Sequence, residues 1–238
     1  MRYQGGKGRL SALLAVEIER FANAHGTREI EDRFCGGLAV SLACWRRGLR
    51  VARIEDGNPA LIACYRALVE GWDPPAVLSA EDYRAIRLRA DPADPVTAFA
   101  LAFCSYGGKW AAGRIPDDLR WPGSTARYAA AAARRDLLEV RPLLLGAEIV
   151  CGDCLGPVAS RRVAYADPPY RGTCGYPGAP PADLEVVWAA LRGAGPVVGS
   201  EADPWPEGWR EVWRWTNPRR GLRAQGGLEV LLTNTIVT

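Results

Sequence analysis

Asp167-Pro168-Pro169-Tyr170 brings a carboxylate, a rigid backbone carbonyl and an aromatic face together in four consecutive residues. An amino nitrogen attached to an aromatic ring is a poor nucleophile, because its lone pair is delocalised into the ring. An Asp167 oxygen and the Pro168 carbonyl can each accept one amino hydrogen, which turns the lone pair toward an incoming methyl group, while Tyr170 stacks on the ring. The preceding residues, 162–166, read as a short buried strand that the two prolines stop by removing backbone donors and fixing φ. Asp167 precedes a proline and is therefore pushed into an extended conformation. The tetrapeptide is expected at a strand's carboxyl end, where open α/β sheets bind ligands beside a topological switch point. A strand ended by a Pro-Pro turn is also an ordinary piece of architecture, so the rest of the chain must decide between the two.

The elements that position this tetrapeptide follow from periodicity. Residues 11–24 carry Leu13, Leu14, Ile18 and Phe21 at helical spacing and stop at Gly26, with His25 as a helix-end cap rather than a base. Residues 30–34 form a short strand running into Gly36-Gly37, residues 38–47 a helix, and residues 51–54 a second strand ending at Glu55-Asp56. Asn58 followed by Pro59 is a helix cap with proline at the first helical position. Strand, glycine turn, helix, strand, acid, helix is the order of a doubly wound, mostly parallel α/β nucleotide-binding sheet.

From Asp73 to Gly146 the alternation is interrupted. Helical patterns at 80–89, 96–103 and 125–138, the last stopping before Pro142, surround the glycine-rich, basic stretch Ser105-Tyr106-Gly107-Gly108-Lys109-Trp110, with Arg114 just beyond. This predicts a catalytic domain formed by 1–72 and 147–238, with 73–146 as an inserted helical lobe. Strands at 148–151, 163–166, 197–200, 209–215 and 228–234 and a helix at 184–192 complete the domain.

At 238 residues the chain is long enough for one large domain with such an insertion. It has no apolar run of about 18 residues that would cross a membrane, and no apolar leader, which predicts a cytosolic protein. Seven scattered cysteines suit free thiols in a reducing compartment. Cys151 and Cys154 have C-x-x-C spacing, but with no second pair and one histidine they do not complete a zinc site. The net charge of +3 and pI near 8.5 are mildly basic. Between Lys109 and Arg141 seven basic residues face four acidic ones, and between Trp205 and Gln225 five arginines (Arg210, Arg214, Arg219, Arg220, Arg223) are interleaved with tryptophans. Such runs are usually solvated surface. Arginines set among aromatics also suit phosphate contact and base stacking.

The remaining site candidates are individually weak. Phe34-Cys35-Gly36-Gly37 lets the backbone approach a ligand closely but lacks the spacing of a dinucleotide fingerprint. Asp56 ends the second strand, where such folds bind ribose hydroxyls. Asp153, past the third strand, suits either an adenine-like amino group or a plain turn.

Taken in order, Tyr3-Gln4-Gly5-Gly6-Lys7, Asp32-Arg33-Phe34-Cys35-Gly36-Gly37, Asp56-Gly57-Asn58-Pro59 and Asp167-Pro168-Pro169-Tyr170 resemble the Dam-type adenine-specific DNA methyltransferases. The resemblance spans nearly the whole chain. It implies a Rossmann-like methyltransferase sheet that binds S-adenosylmethionine and releases S-adenosylhomocysteine, with Tyr3, Gly5, Gly6 and Lys7 on the cofactor. Phe34, Gly36, Gly37, Asp56, Asn58, Asp153 and Asp167 belong to the same implied set. Asp167, Pro168, Pro169 and Tyr170 become the catalytic residues. The insertion becomes the surface that recognises double-stranded DNA, with Lys109, Arg114, Arg219, Arg220 and Arg223 on phosphates. A bacterial or phage-type, nucleoid-associated enzyme, such as the modification half of a restriction-modification pair, is implied, and a single copy suffices for catalysis. The chain departs from the family at Arg33, where proline is frequent, at Leu38, where a third glycine is frequent, and at Cys154, where an aromatic is usual. The first two predict a less open cofactor turn. The amino-group chemistry alone also admits cytosine or RNA as substrate, and the fold alone admits a catalytically silent DNA-binding protein.

Overall fold

The computed structural model describes residues 3–116, 129–169, 183–201, 207–216 and 228–235. Its centre is strand β1 (Glu29–Arg33), paired in parallel with β2 (Arg50–Asp56) on one side and β4 (Val163–Ala166) on the other. β3 (Glu148–Cys151) lies outside β2, and β5 (Val197–Glu201) outside β4, both parallel. β7 (Leu228–Thr233) is inserted antiparallel between β5 and β6 (Arg210–Thr216). Among the described residues the sheet thus has seven strands in the order β3-β2-β1-β4-β5-β7-β6. The winding direction reverses between β1 and β4, so the carboxyl ends of these two strands border the crevice where a doubly wound sheet takes its ligand.

Helix α1 (Ser11–Ala24) buries Leu14, Ala15, Ile18, Phe21 and Ala22, one face at 3.6-residue spacing. His25 closes it as expected: its Nδ1 donates to Phe21 O at 2.9 Å, and its ring packs against Phe21 at a tilt of 49°, centroids 4.4 Å apart. After β1 comes α2 (Ala39–Arg46), and after β2 comes α3 (Pro59–Val69). Asn58 Oδ1 accepts from the backbone of Ala60 at 3.1 Å and Leu61 at 3.3 Å, satisfying two of the helix's orphan donors.

Residues 73–146 form the crossover from α3 to β3. They contain α4 (Ala80–Arg89), α5 (Pro95–Ala98), a wide π-type turn at Phe99–Phe103, a tight turn at Tyr106–Gly108 and α6 (Ala129–Leu144). The residues expected as one helix over 96–103 are therefore α5 plus the wide turn, where Cys104 N bonds to Phe99 O. α6 also runs through Pro142, past the stop expected at 138. Pro142 removes one internal hydrogen bond, but Leu137, Val140, Leu143 and Leu144 are all buried where α6 packs on α3, α2 and the wide turn, and that packing outweighs the loss. Ile86, Phe99, Phe103 and these α6 residues share one apolar cluster with Ile30, Ile54, Leu61 and Val163. On the opposite face, α7 (Leu184–Gly193) packs Trp188 edge-on to Trp209 beneath the sheet, where Gly199 leaves room for the indole. No helix among the described residues is long and apolar enough to cross a membrane.

Candidate active site

β4 ends at Ala166, and Asp167 continues it for one step, its N–H bonded to Arg33 O at 3.3 Å. Asp167 is thereby held at the carboxyl end of the strand, followed by the buried Pro168 and half-buried Pro169. Side chains alternate along a strand, so Asp167 shares a face with Tyr165 and Val163, the face covered by α1 and α2. On that face Lys7 Nζ donates to both carboxylate oxygens of Asp167, at 2.6 and 2.8 Å, with both side chains mostly buried. Tyr170 lies outside the described residues, as do Arg219, Arg220 and Arg223.

The segment carrying Lys7 is folded by its own glycines. Gly6 N bonds to Tyr3 O at 3.0 Å, and a Cβ at Gly6 would stand 2.9 Å from that same oxygen. Gln4 N bonds to Gly108 O at 3.0 Å, tying the segment to the insertion, and the Tyr3 and Phe103 rings lie 6.2 Å apart. The Tyr3 ring rests on Gly36: a Cβ there would meet Cε1 at 2.9 Å. Gly36 has φ +45°, its N–H bonds to Asp56 Oδ2 at 2.9 Å, and its carbonyl accepts from the Tyr65 hydroxyl. Asp56 Oδ1 meanwhile accepts from Asn58 N at 2.9 Å. Asp56 is thus a strut between the β1 turn and the α3 cap, and each oxygen keeps a second lone pair. Burial raises its carboxyl above the usual range, opposed by the Asn58 and Gly36 N–H bonds.

Phe34 and Leu38 flank the turn with φ of +61° and +57°. Leu38 therefore adopts the left-handed conformation that a glycine would take freely, at a steric cost of about 1 kcal/mol, and its side chain is fully buried. Asn58 is committed to its cap, and Asp153 Oδ1 accepts from Leu155 N at 3.0 Å, the ordinary turn use of that residue. In the insertion, Lys109 is exposed, whereas Arg114 is half-buried and donates to Leu78 O at 3.1 Å.

Three further charged residues shape the site. Glu31, Asp32 and Arg33 are consecutive in the central strand and each is 2% exposed or less. Charged side chains are almost never fully buried unless paired, so this run was the available sequence signal. Asp32 faces α2, where its Oδ2 accepts from the Ser41 hydroxyl while Oδ1 is buried without a partner among the described residues. Leu38 gives α2 no side-chain cap, and Asp32 supplies an acceptor in its place. Burial pushes the Asp32 carboxyl up to about 7, with Asp167 and Asp56 adding to the rise and the Ser41 bond opposing it.

A carboxyl raised from its unfolded value holds its proton more tightly in the folded state. Asp32 therefore lends full stability below about pH 4 and loses it as pH climbs toward 7. Asp32→Asn, which cannot ionise, is expected to come within about 1 kcal/mol of the parent near pH 4 and to exceed it by a few kcal/mol at pH 8. Denaturant melts at the two pH values check this, and equal stabilities at pH 8 would show that Asp32 does not carry the buried charge.

Asp32, Asp56 and Asp167 gather with Lys7 at the carboxyl ends of β1, β2 and β4, where the Lys7 ammonium offsets Asp167 and burial raises Asp32 and Asp56 toward their protonated forms. The Gly36 turn and the second lone pairs of Asp56 suit the hydroxyls of a nucleoside. The reversed strand order defines a doubly wound, Rossmann-like sheet, with β7 antiparallel at its far end. No family model matches the chain, and no curated protein matches it in sequence. Among solved structures, the rRNA methyltransferase aviRa from Streptomyces viridochromogenes is similar to it, with 17% identity over 95% of this chain and 86% of that one, at a TM-score of 0.41.

Proposed function

We propose that this protein transfers a methyl group from S-adenosylmethionine to the exocyclic amino group of adenine in duplex DNA. One observation carries the reading: Asp167 and Pro168 end the strand at the switch point, with the Asp167 carboxylate oriented by Lys7. S-adenosylmethionine, when bound, supplies an electrophilic methyl on sulfur. Asp167 and the Pro168 carbonyl accept hydrogen bonds from the two amino hydrogens and aim the nitrogen lone pair; the C–N bond forms as the C–S bond breaks, and the surplus amino proton then leaves to solvent. Pro168 has a fixed φ, so its carbonyl needs little reorganisation, and Lys7 does the same for the carboxylate. Holding two reactants in such a geometry supplies much of the rate. The adenine reaches the crevice by extrusion from the helix, at an unstacking cost of a few kcal/mol. Adenine itself is drawn from the resemblance to Dam-type enzymes, while the amino-group chemistry comes from the residues.

The duplex is read by the insertion, whose turn at Tyr106–Gly108 is bonded to the same N-terminal segment that holds Asp167. Lys109, exposed beside that turn, contacts phosphate. Binding should weaken steeply with salt, and Lys109→Ala should flatten the slope of log K against log salt by about 1 with little change in sequence preference. An unchanged slope would remove Lys109 from the interface.

The deciding experiment incubates the protein with methyl-labelled S-adenosylmethionine and unmodified duplex DNA, then separates the nucleosides. Label in N6-methyladenine is expected. Label in cytosine, or transfer to RNA alone, would reassign the substrate. Calorimetry showing no binding of S-adenosylmethionine would overturn the enzyme reading.

A further inference from the structure

The β3–β4 connection spans residues 152–162 without a helix, yet it crosses the face of β2 and β1 on its way to β4. Its apolar anchors are Cys154, fully buried, and the partly buried Leu155 and Val158, and Val158 N bonds to Ala194 O at 2.7 Å. Buried charge holds the rest. The Arg33 guanidinium, 1% exposed, donates to the carbonyls of Cys154 at 3.4 Å, Gly156, and Pro157 at 2.8 Å, and pairs with Glu31 at 2.9 Å. Glu31 Oε1 accepts from Ala159 N at 3.1 Å, and Glu55 Oε1 from Cys154 N at 3.2 Å. Backbone donors and acceptors of 154–159 thus meet the side chains of β1 and β2, each bond of the stronger, charge-assisted kind.

The start of this loop is part of the crevice. Cys151 pairs in register with Asp56, and Gly152 N bonds to Asp56 O at 3.2 Å. Gly152 has no room for a side chain, since a Cβ would stand 2.3 Å from Glu55 Oε1. Asp153 follows immediately, with one oxygen turned to Leu155 N. Whatever fixes residues 154–157 from below therefore fixes the wall beside Asp56. A proline at position 33 would have no means of doing so.

We infer that Arg33 is a positioning residue for ligand binding: by pinning the β3–β4 loop from inside the sheet, it sets how tightly the nucleoside end of S-adenosylmethionine is held. This rests on the methyltransferase reading above. Arg33 touches neither reactant, so its loss acts on cofactor affinity and not on the chemical step.

The test compares the parent, Arg33→Lys and the double variant Glu31→Gln/Arg33→Met, which removes both buried charges and leaves neither uncompensated. Calorimetric titration with S-adenosylmethionine should give a Kd about tenfold weaker for the double variant and an intermediate value for Arg33→Lys. The KM for cofactor should rise in step while kcat at saturation stays within about twofold. Amide exchange over 152–159 should quicken and that of β1 and β4 should not, a pattern that a general loss of stability would not produce. A folded double variant with the parent's Kd would overturn the inference. Should the double variant fail to fold, Arg33→Lys with parental Kd and parental loop exchange would overturn it equally. A parent that binds no S-adenosylmethionine would instead overturn the methyltransferase reading itself, before any variant is compared.

Discussion

Asp167→Ala should lower the methyl-transfer rate by at least about a thousandfold while leaving the sheet intact, a loss of about 4 kcal/mol of transition-state stabilisation. The carboxylate is asked for two things: to accept an amino hydrogen and to present a defined orientation, the second through its two bonds from Lys7. Alanine removes both. Asp167 lies at the strand end, but its loss takes the carboxylate from the mostly buried Lys7 ammonium, so the melting temperature should fall while the sheet's circular dichroism stays unchanged. Asp167→Asn separates the two demands, because its carbonyl oxygen still accepts a hydrogen bond but no longer pairs with an ammonium. Its activity should fall between that of alanine and that of the parent. Measured kcat and KM for DNA and cofactor, with circular dichroism as the fold control, decide the matter. Transfer retained by Asp167→Ala would move the catalytic role to a neighbouring carboxylate, with Asp56 and Asp32 next in line.

Gly36→Ala should weaken S-adenosylmethionine binding by about 30- to 100-fold, equivalent to about 2–3 kcal/mol. Two costs combine. The backbone at φ +45° lies in the left-handed region, which costs a residue with a Cβ about 1 kcal/mol. The new methyl would also stand 2.9 Å from the Tyr3 ring, which cannot yield freely because Gln4 is bonded to Gly108 and Lys7 to Asp167. A double-mutant cycle separates the costs: in a Tyr3→Ala background, Gly36→Ala should lose only the backbone part. Equal losses in both backgrounds would mean that the ring over Gly36 has no part in cofactor binding.

The elements of this fold were legible because their signals are local. Asn58-Pro59 announces a capped helix start, Gly26 an end, and β1, β2 and β4 stop where glycine, an acid or proline stops them. Pro142 misled for the opposite reason. Its local cost is real, but Val140, Leu143 and Leu144 repay it through burial against elements far away in the chain. The site divides along the same line. Asp167 and the Gly36 turn were readable from residue type and place, and the Lys7 to Asp167 pair joins two of the motifs quoted for the family resemblance. The roles of Asp32, Glu31 and Arg33 were not readable, because a charged side chain in a central strand acquires meaning only from its partners. Arg33 was expected to narrow the cofactor turn. Its guanidinium instead faces away from the turn and binds carbonyls of the β3–β4 loop, while Leu38 adopts the glycine-like backbone itself.

The ion pair between Lys7 and Asp167 joins residues 160 positions apart. No fragment that begins after the first or stops before the second can contain it, and between them lie both halves of the sheet's switch point and the whole insertion. The crevice is therefore a property of the completed molecule and not of any one motif. Its oriented carboxylate exists only once the chain has wound out to β3 and returned to β4 beside β1.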